Sequence, residues 1–289
     1  LERIQSHMLW LGVAAHEGGF DSLFMYSWRD RETVMDLLET LSGNKVHYSA
    51  NLLGGVKFDI TPTLSDVIRT GLDFLEERNH HYLSIIENDE TFIGRTRGIG
   101  KMDLERAEML GAIGPTARAS GLARDIRIDD PYLCYDEFPV RLITHTSGDL
   151  HGRFIVRIRE TFEAIRVIRE ILAHMPESEL TVRVSRRIPP GETISRVEAP
   201  RGELFYFIAS NGSDKPERVK VRTPSLCNWA MVMSLSIGLK LADVPMLLSG
   251  IDPCFSCNDR LFSVTRNSHS PQVWTWEDLR QYGINYYKK

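Results

Sequence analysis

Residues 251–260 read IDPCFSCNDR, and their two cysteines, Cys254 and Cys257, stand at i and i+3 on a turn opened by Asp252 and Pro253. That spacing puts two sulfurs on one side of a turn, at metal-ligand separation. Thiolates are soft donors suited to nickel, iron, zinc or copper(I). A structural zinc needs a second pair, and the other cysteines, Cys134 and Cys227, stand alone and read as inert core thiols. Three readings of the motif follow: half of a metal site completed elsewhere, a redox dithiol, or two buried inert cysteines.

Other groups with chemical potential are weaker. Gly98-Ile99-Gly100 invites a dinucleotide reading, but Asp103 stands where the third glycine belongs and no βαβ pattern surrounds it. His7, His16, His80, His81, His145 and His151 form no HExxH or HxxxH pattern. They read as surface or hydrogen-bonded structural residues.

Bulk composition narrows the class. With 42% hydrophobic and 26% charged residues over 289 positions, the chain is globular and long enough for a sizeable core. A net charge of -4 gives no reason to expect nucleic acid or an acidic lipid surface. Four cysteines are too few for a disulfide scaffold, and the close pair reads as belonging to a reducing, cytoplasmic compartment. Nothing reads as a signal peptide. The longest charge-free stretch, Thr223 to Leu239, is interrupted by Pro224, Asn228 and several serines, so it reads as a core segment rather than a membrane span. Any membrane link must come through partners. The opening LERIQSHMLW enters a helical pattern with neither an initiator Met nor an N-cap, which reads as a chain that continues upstream.

The elements that must position these residues are mostly helical. Residues 1–45 carry apolar Ile4, Met8, Leu11, Val34, Leu37, Leu38 and Leu41 at helical spacing, punctuated by Gly18-Gly19 and Gly43-Asn44. From Thr63 to about Glu87 a second amphipathic helix places Leu64, Val67, Ile68, Leu72, Leu75, Leu83 and Ile86 on one side, with Thr63 or Ser65 as its cap. Residues 88–149 are broken by Gly and Pro. Leu150 to Met175 gives the clearest helix, ended by Pro176, with Arg159/Glu163 and Arg166/Glu170 as exposed i,i+4 pairs. Arg201–Ser210 and Arg218–Arg222, joined by NGSDKP, read as a β-hairpin. The expected fold class is mostly α with a small β-sheet (α+β), in one compact unit.

Several motifs then converge. IDPCFSCNDR resembles the C-terminal nickel-binding motif, DPCxxCxxH or DPCxxCxxR, of [NiFe] hydrogenase large subunits. EAPRGE (Glu198 to Glu203) resembles the motif that sets an arginine over the bimetallic centre there. VRTPSLCN (Val221 to Asn228) resembles the segment whose Pro-Ser/Thr lines the iron's diatomic ligands. LERIQSHMLWLG, GGVKFDI, GAIGPTARASG, DDPYLCYDEF and GDLHGRFIVRIRE resemble landmarks that this family shares with the 49-kDa subunit of respiratory complex I, over about residues 1–265. Complex I subunits have lost the nickel thiolates and use the vacated cavity for quinone. Retention of Cys254 and Cys257 therefore favours hydrogenase, and the CNDR ending favours the membrane-associated, energy-converting or formate-hydrogenlyase type.

The resemblance implies a helical-bundle core and a nickel-iron centre with CO and cyanide on iron. It makes Cys254 a terminal nickel ligand and Cys257 a bridge. Arg201 becomes a base or the group that positions H2, although its high intrinsic pKa opposes simple base action. Asp252 becomes the holder of the Arg201 guanidinium. Pro224 and Ser225 become a dry wall and a hydrogen-bond donor to cyanide. His7, Asp149 and Arg153 become candidates for a proton or quinone-like path, with a buried Asp149–Arg153 ion pair as the plainer reading. Iron-sulfur clusters would lie only in a small partner subunit. A 30-kDa-like subunit and membrane subunits would complete a complex on the cytoplasmic side of the membrane, with no nucleic acid.

Two departures qualify this picture. The family's first CxxC lies upstream of the LERIxSH-type helix, so the chain is a fragment, or a separate chain supplies the other pair, or the site is unbuilt. Residues 261–289 follow Arg260, where such subunits are cut on maturation. The family-like domain is thus placed at 1–260 and a tail at 261–289, either a terminal helix or a dock for a maturation protease or chaperone. Two other functions stay open: a quinone-type, complex I-like subunit without nickel, and an apo precursor or scaffold.

Overall fold

The computed structural model describes residues 1–185, 187–258 and 274–288, without the side chain of Trp276. The chain divides into two compact units, Leu1–Pro253 and Cys254–Lys289. The described residues are mostly helical, with two small antiparallel sheets.

The first unit opens with α1 (Glu2–Glu17) and α2 (Asp21–Ser42), which pack on each other as a hairpin. Ile4, Met8 and Leu11 of α1 are wholly buried, and Val34, Leu37 and Leu38 of α2 nearly so. A two-stranded ribbon, β1 (Asn51–Leu52) and β2 (Gly55–Val56), follows. Next comes the long α3 (Pro62–Asn88), whose cap is Thr61 and neither Thr63 nor Ser65. Pro62 occupies the first helical turn, where its missing N–H costs nothing, so the cap falls one residue before it. Val67, expected on the apolar side, is instead exposed.

Short helices cross the Gly- and Pro-broken region: α4 (Glu90–Thr96), α5 (Leu104–Met109), α6 (Gly114–Arg118) and α7 (Ile126–Asp129). The central helix α8 (Leu150–Ala173) is capped by Asp149, whose Oδ1 accepts the Gly152 N–H at 3.0 Å. Its surface ion pairs differ in part from expectation. Arg166 pairs with Glu170, but Arg159 pairs with Glu87 of α3 at 3.2 Å. Glu163 is buried and accepts the Arg141 N–H at 2.7 Å. The reason is tertiary: that flank of α8 is covered by residues 139–141, so the Glu163 carboxylate takes the Arg141 N–H and, at i,i+3, the Arg166 guanidinium instead of Arg159.

A three-stranded antiparallel sheet follows, in order β3 (Gly191–Ala199), β4 (Gly202–Ser210), β5 (Pro216–Arg222). β4 and β5 form the expected hairpin; β3 escapes sequence reading because its first five residues are all exposed and show no alternation. Ala199 pairs with Gly202, leaving Pro200 and Arg201 as a two-residue turn. α9 (Pro224–Ser236) and α10 (Val244–Gly250) complete the unit. The charge-free stretch is only partly core: Met231, Val232 and Leu235 are buried, while Met233 and Ile237 are exposed. No helix among the described residues is long and apolar enough to cross a membrane.

Two apolar clusters hold the unit together. The larger joins α1, α2, α3 and α8, threaded by a run of rings: Trp10 lies 4.5 Å from Phe154, which lies 5.0 Å from Phe92. The smaller joins α5, α6, α9 and α10 through Met102, Ala117, Met231, Leu247 and Ile251. The second unit contains Cys254, Cys257 and a terminal helix α11 (Trp276–Tyr287), closed at its start by a Thr275–Asp278 capping box. The CNDR Asp259 and Arg260, and tail residues 261–273, lie outside the described residues.

Candidate functional site

The Pro200–Arg201 turn is seated by close backbone approach. Gly202, at φ +126°, lies against Gly114, and a Cβ added at Gly114 would overlap the Arg201 carbonyl oxygen. Gly114 itself has φ +65°, at the start of α6. The preceding residue, Ile113, is pinned to α9: its N–H donates to Asn228 Oδ1 at 3.1 Å, and Asn228 Nδ2 donates to its carbonyl at 3.3 Å. The EAPRGE, GAIGPTARASG and VRTPSLCN motifs therefore form one rigid frame. Gly114→Ala is expected to lower stability by about 3 kcal/mol, through an overlap with backbone that no rotamer can relieve. The melting temperature of the variant checks this, with a drop of roughly 6–10 °C expected.

From this turn the Arg201 side chain reaches Asp252. Its Nη2 donates to Asp252 Oδ1 at 2.9 Å and its Nε to the Asp252 carbonyl at 2.8 Å, while Nη1 lies 3.4 Å from Ser6 Oγ on α1. Asp252 is buried, and its Oδ2 has no hydrogen-bond partner. Its backbone sits at φ +55°, a left-handed conformation that Asp tolerates better than most residues. Burial pushes its carboxyl above the usual range, while Arg201 and Arg157 pull it back.

Pro224 and Ser225 form the first turn of α9 and are both buried. In the second unit a short 3-10 turn, Ser256–Asn258, carries Cys257 and directly follows Phe255 and Cys254. Cys254 Sγ lies 3.3 Å from Ser256 Oγ, and the Cys254 carbonyl accepts from Asn258 Nδ2 at 2.8 Å. Cys134 and Cys227 are half-buried rather than deep in the core. Burial raises the Cys227 thiol, as expected of an unreactive cysteine.

Behind Arg201 lies a buried ionic network that sequence reading missed. Arg118 of α6 donates to Glu160 at 2.8 Å and to Glu198 at 2.9 Å, and lies 3.4 Å from Asp125. Arg127 closes on Asp125 at 2.6 Å. Arg3 of α1 donates to the Glu198 carbonyl at 2.6 Å and approaches Glu160 at 3.4 Å. Three arginines thus face three carboxylates, which is what makes such burial tolerable. The available signal was the spacing Arg3, Ser6, His7, Trp10, a polar stripe on one face of a helix.

His7, fully buried, places Nε2 3.0 Å from Glu160 Oε2. Burial holds its pKa down to about 4, against the pull of Glu160. Between pH 4 and 6.5 the unfolded chain therefore binds a proton here that the folded chain does not, and stability rises with pH across that window. Acidification from pH 7 to 4 is expected to remove about 3 kcal/mol through this group. Urea midpoints measured across that range check it: His7→Gln should show a shallower slope.

Asp149 and Arg153 do not form the ion pair considered from sequence. Asp149 is spent capping α8 and accepting the Gly98 N–H at 2.9 Å. Arg153 donates instead to the carbonyls of Gly100 and Gly148, at 2.6 and 3.2 Å. One turn on, Arg157 stacks over Trp10 with its guanidinium 4.0 Å from the ring centroid. Desolvation lowers both arginines, to about 9 for Arg153 and about 10 for Arg157.

Residues 17–187 and 180–260 match the family described as the respiratory-chain NADH dehydrogenase 49 Kd subunit. The chain belongs to this family. It is 36% identical over 260 residues to the carbon monoxide-induced hydrogenase of Rhodospirillum rubrum, covering 90% of this chain and 72% of that one. It is also 33% identical over 287 residues to an NADH-quinone oxidoreductase subunit of Koribacter versatilis, with the same coverage of both chains. Among solved structures, a chain of the membrane-bound sulfane sulfur reductase, an archaeal respiratory membrane complex, superposes with a TM-score of 0.83 at 29% identity, over 90% of this chain and 76% of that one. The family and its relatives make this an oxidoreductase subunit with a complex I 49-kDa-like fold. Hydrogenase and NADH-quinone relatives match at similar identity, so the division between them falls to the site's own residues.

As donors for a nickel-iron group, Cys254 and Cys257 are right in kind, soft thiolates at ligand spacing. In number they are half of a four-thiolate set, and among the described residues no group of three or more His, Cys, Asp or Glu could hold a metal.

Proposed function

We propose that the chain is the large subunit of a membrane-associated [NiFe] hydrogenase, with Cys254 and Cys257 as this chain's share of the metal ligands. The observation that carries the reading is the retained thiolate pair, starting two residues after Asp252, the residue that clamps Arg201. A nickel-iron group, when bound, supplies heterolytic cleavage of H2, or its reverse. The chain's residues supply the surroundings. Arg201, fixed at two atoms by Asp252, presents a guanidinium that cannot swing away. Pro224 and Ser225 contribute a buried, water-poor wall and a hydroxyl. In this reading electrons pass to iron-sulfur clusters of a small subunit, and the chain sits peripherally on the cytoplasmic side of a membrane complex.

A second reading, a quinone-type subunit without nickel, draws on the match to the NADH-quinone oxidoreductase relative over 90% of the chain. Isotope exchange between H2 and deuterated water by the native complex separates the two. The hydrogenase reading expects exchange that Cys257→Ser abolishes. Absence of exchange in the unaltered, reduced complex would exclude it.

A further inference from the structure

Arg3, Ser6, His7 and Trp10 stand at i, i+3, i+4 and i+7 on α1, and all four lie in the protein interior or at its edge. Each has a partner: Arg3 the Glu198 carbonyl, Ser6 the Arg201 guanidinium, His7 Glu160, and Trp10 the Ser249 carbonyl at 2.6 Å. One atom on this face is left over. His7 Nδ1 is buried and has no hydrogen-bond partner.

The partners of Glu160 fix what that atom is. Its Oε1 accepts from Arg118 Nε at 2.8 Å, and Arg3 lies beside its Oε2, so it stays an ionised carboxylate and can only accept. His7 must then donate its Nε2–H to Oε2, which leaves Nδ1 as a bare lone pair. A buried acceptor with no donor is unfavourable for the fold, and such orphans call for an explanation. The residue before His7 touches Arg201, and Arg157 of α8 lies electrostatically between His7 and the Arg201–Asp252 pair, so His7 shares its helix turn and its charged surroundings with the Arg201 site.

We propose that His7 and Glu160 form the proton-accepting dyad of the Arg201 site, His7 taking a proton at Nδ1 and Glu160 holding the imidazolium that results. The proposal rests on the hydrogenase reading above. Oxidation of H2 gives two protons and two electrons; the electrons leave to the iron-sulfur clusters, and His7 accepts one proton at a time, passing from imidazole to imidazolium and back. Burial sets the balance first, by disfavouring the imidazolium, and the charged groups around it adjust that. Arg3 on its own helix and Arg157 on α8 oppose the imidazolium, and Glu160 favours it. The charge is therefore transient at neutral pH, which suits a group that must give the proton up again. Beyond Glu160, Arg118 leads to Glu198, which lines a cavity of about 550 Å³ together with Asp125, Arg196 and Arg222.

The test uses the complete native complex carrying His7→Gln. Glutamine keeps an N–H for Glu160 but offers no basic nitrogen. H2 uptake should fall at least tenfold and its pH profile should change, with nickel content and melting temperature unaltered. Unchanged rate and pH profile in a nickel-containing complex would overturn the dyad and leave the hydrogenase reading standing. Infrared difference spectra of the unaltered complex, with ring-15N histidine, between H2-reduced and oxidised states give an answer even if the variant fails to assemble. A label-sensitive imidazole-to-imidazolium change supports the dyad, and its absence overturns it. No nickel and no H2 uptake in the unaltered complex would overturn the reading itself, and this inference with it.

Discussion

Replacing Arg201 with lysine is expected to cut H2 turnover about a hundredfold, a loss of about 2.7 kcal/mol in barrier terms, while leaving the fold and the metal content intact. The guanidinium is held at 2.8 and 2.9 Å by two different oxygens of Asp252, which uses the planar fork of arginine. An ammonium is a point charge and cannot hold both bonds in one fixed plane. The side chain is only about a fifth exposed, so water does not fill in for the lost geometry. The fold should tolerate the change, because Arg201 sits on a turn whose seat is made by Gly114 and Gly202 and not by its own side chain. Turnover measured beside nickel content and melting temperature checks the expectation; a lysine variant at near-normal rate would show that the fork geometry does not matter.

The largest effect on stability is expected at Glu160. Glu160→Gln keeps the volume but removes the charge that Arg118, His7 and Arg3 converge on. Arg118 is entirely buried, and the paired carboxylates hold it charged, well above the usual arginine range. With Glu160 neutral, the buried Arg118 and Arg127 and the largely buried Arg3 would face only Asp125 and Glu198. Breaking a buried pair from one side typically costs about 3–5 kcal/mol, a large fraction of the roughly 5–15 kcal/mol that holds most domains folded. Denaturant midpoints of the variant complex measure this. A shift equivalent to less than about 1 kcal/mol would show that water reaches Arg118 and that the network is not dry.

The chemistry-bearing motifs were legible in the sequence because each is local. Cys254 and Cys257 announce themselves by spacing, and Arg201 by EAPRGE. The helices were legible for the same reason: the apolar stripes on α1, α2 and α8 repeat within a few residues. The sequence could not show that Ile113 is braced by Asn228, 115 positions on, and Gly114 by Gly202, 88 positions on. That bracing is a matter of close backbone approach, which leaves no pattern along the chain. The ionic network was invisible for a related reason. Arginine and glutamate on a helix read as a solvated face, and only the tertiary fold turns Arg118, Glu160 and Glu198 inward. Arg159 and Glu163 illustrate the reverse error. At i,i+4 they look like a surface pair, yet Glu163 is buried against the Arg141 N–H and Arg166, and Arg159 reaches α3.

Nickel and iron analysis of the chain in its purified native complex tests the central claim most directly. The account predicts nickel near one per chain and one iron beyond that of the small subunit's clusters, with the nickel and that one iron lost from a complex carrying Cys254→Ser and Cys257→Ser together. A fully assembled, active complex containing iron but no nickel would contradict it, and would make the chain a quinone-type member of its family.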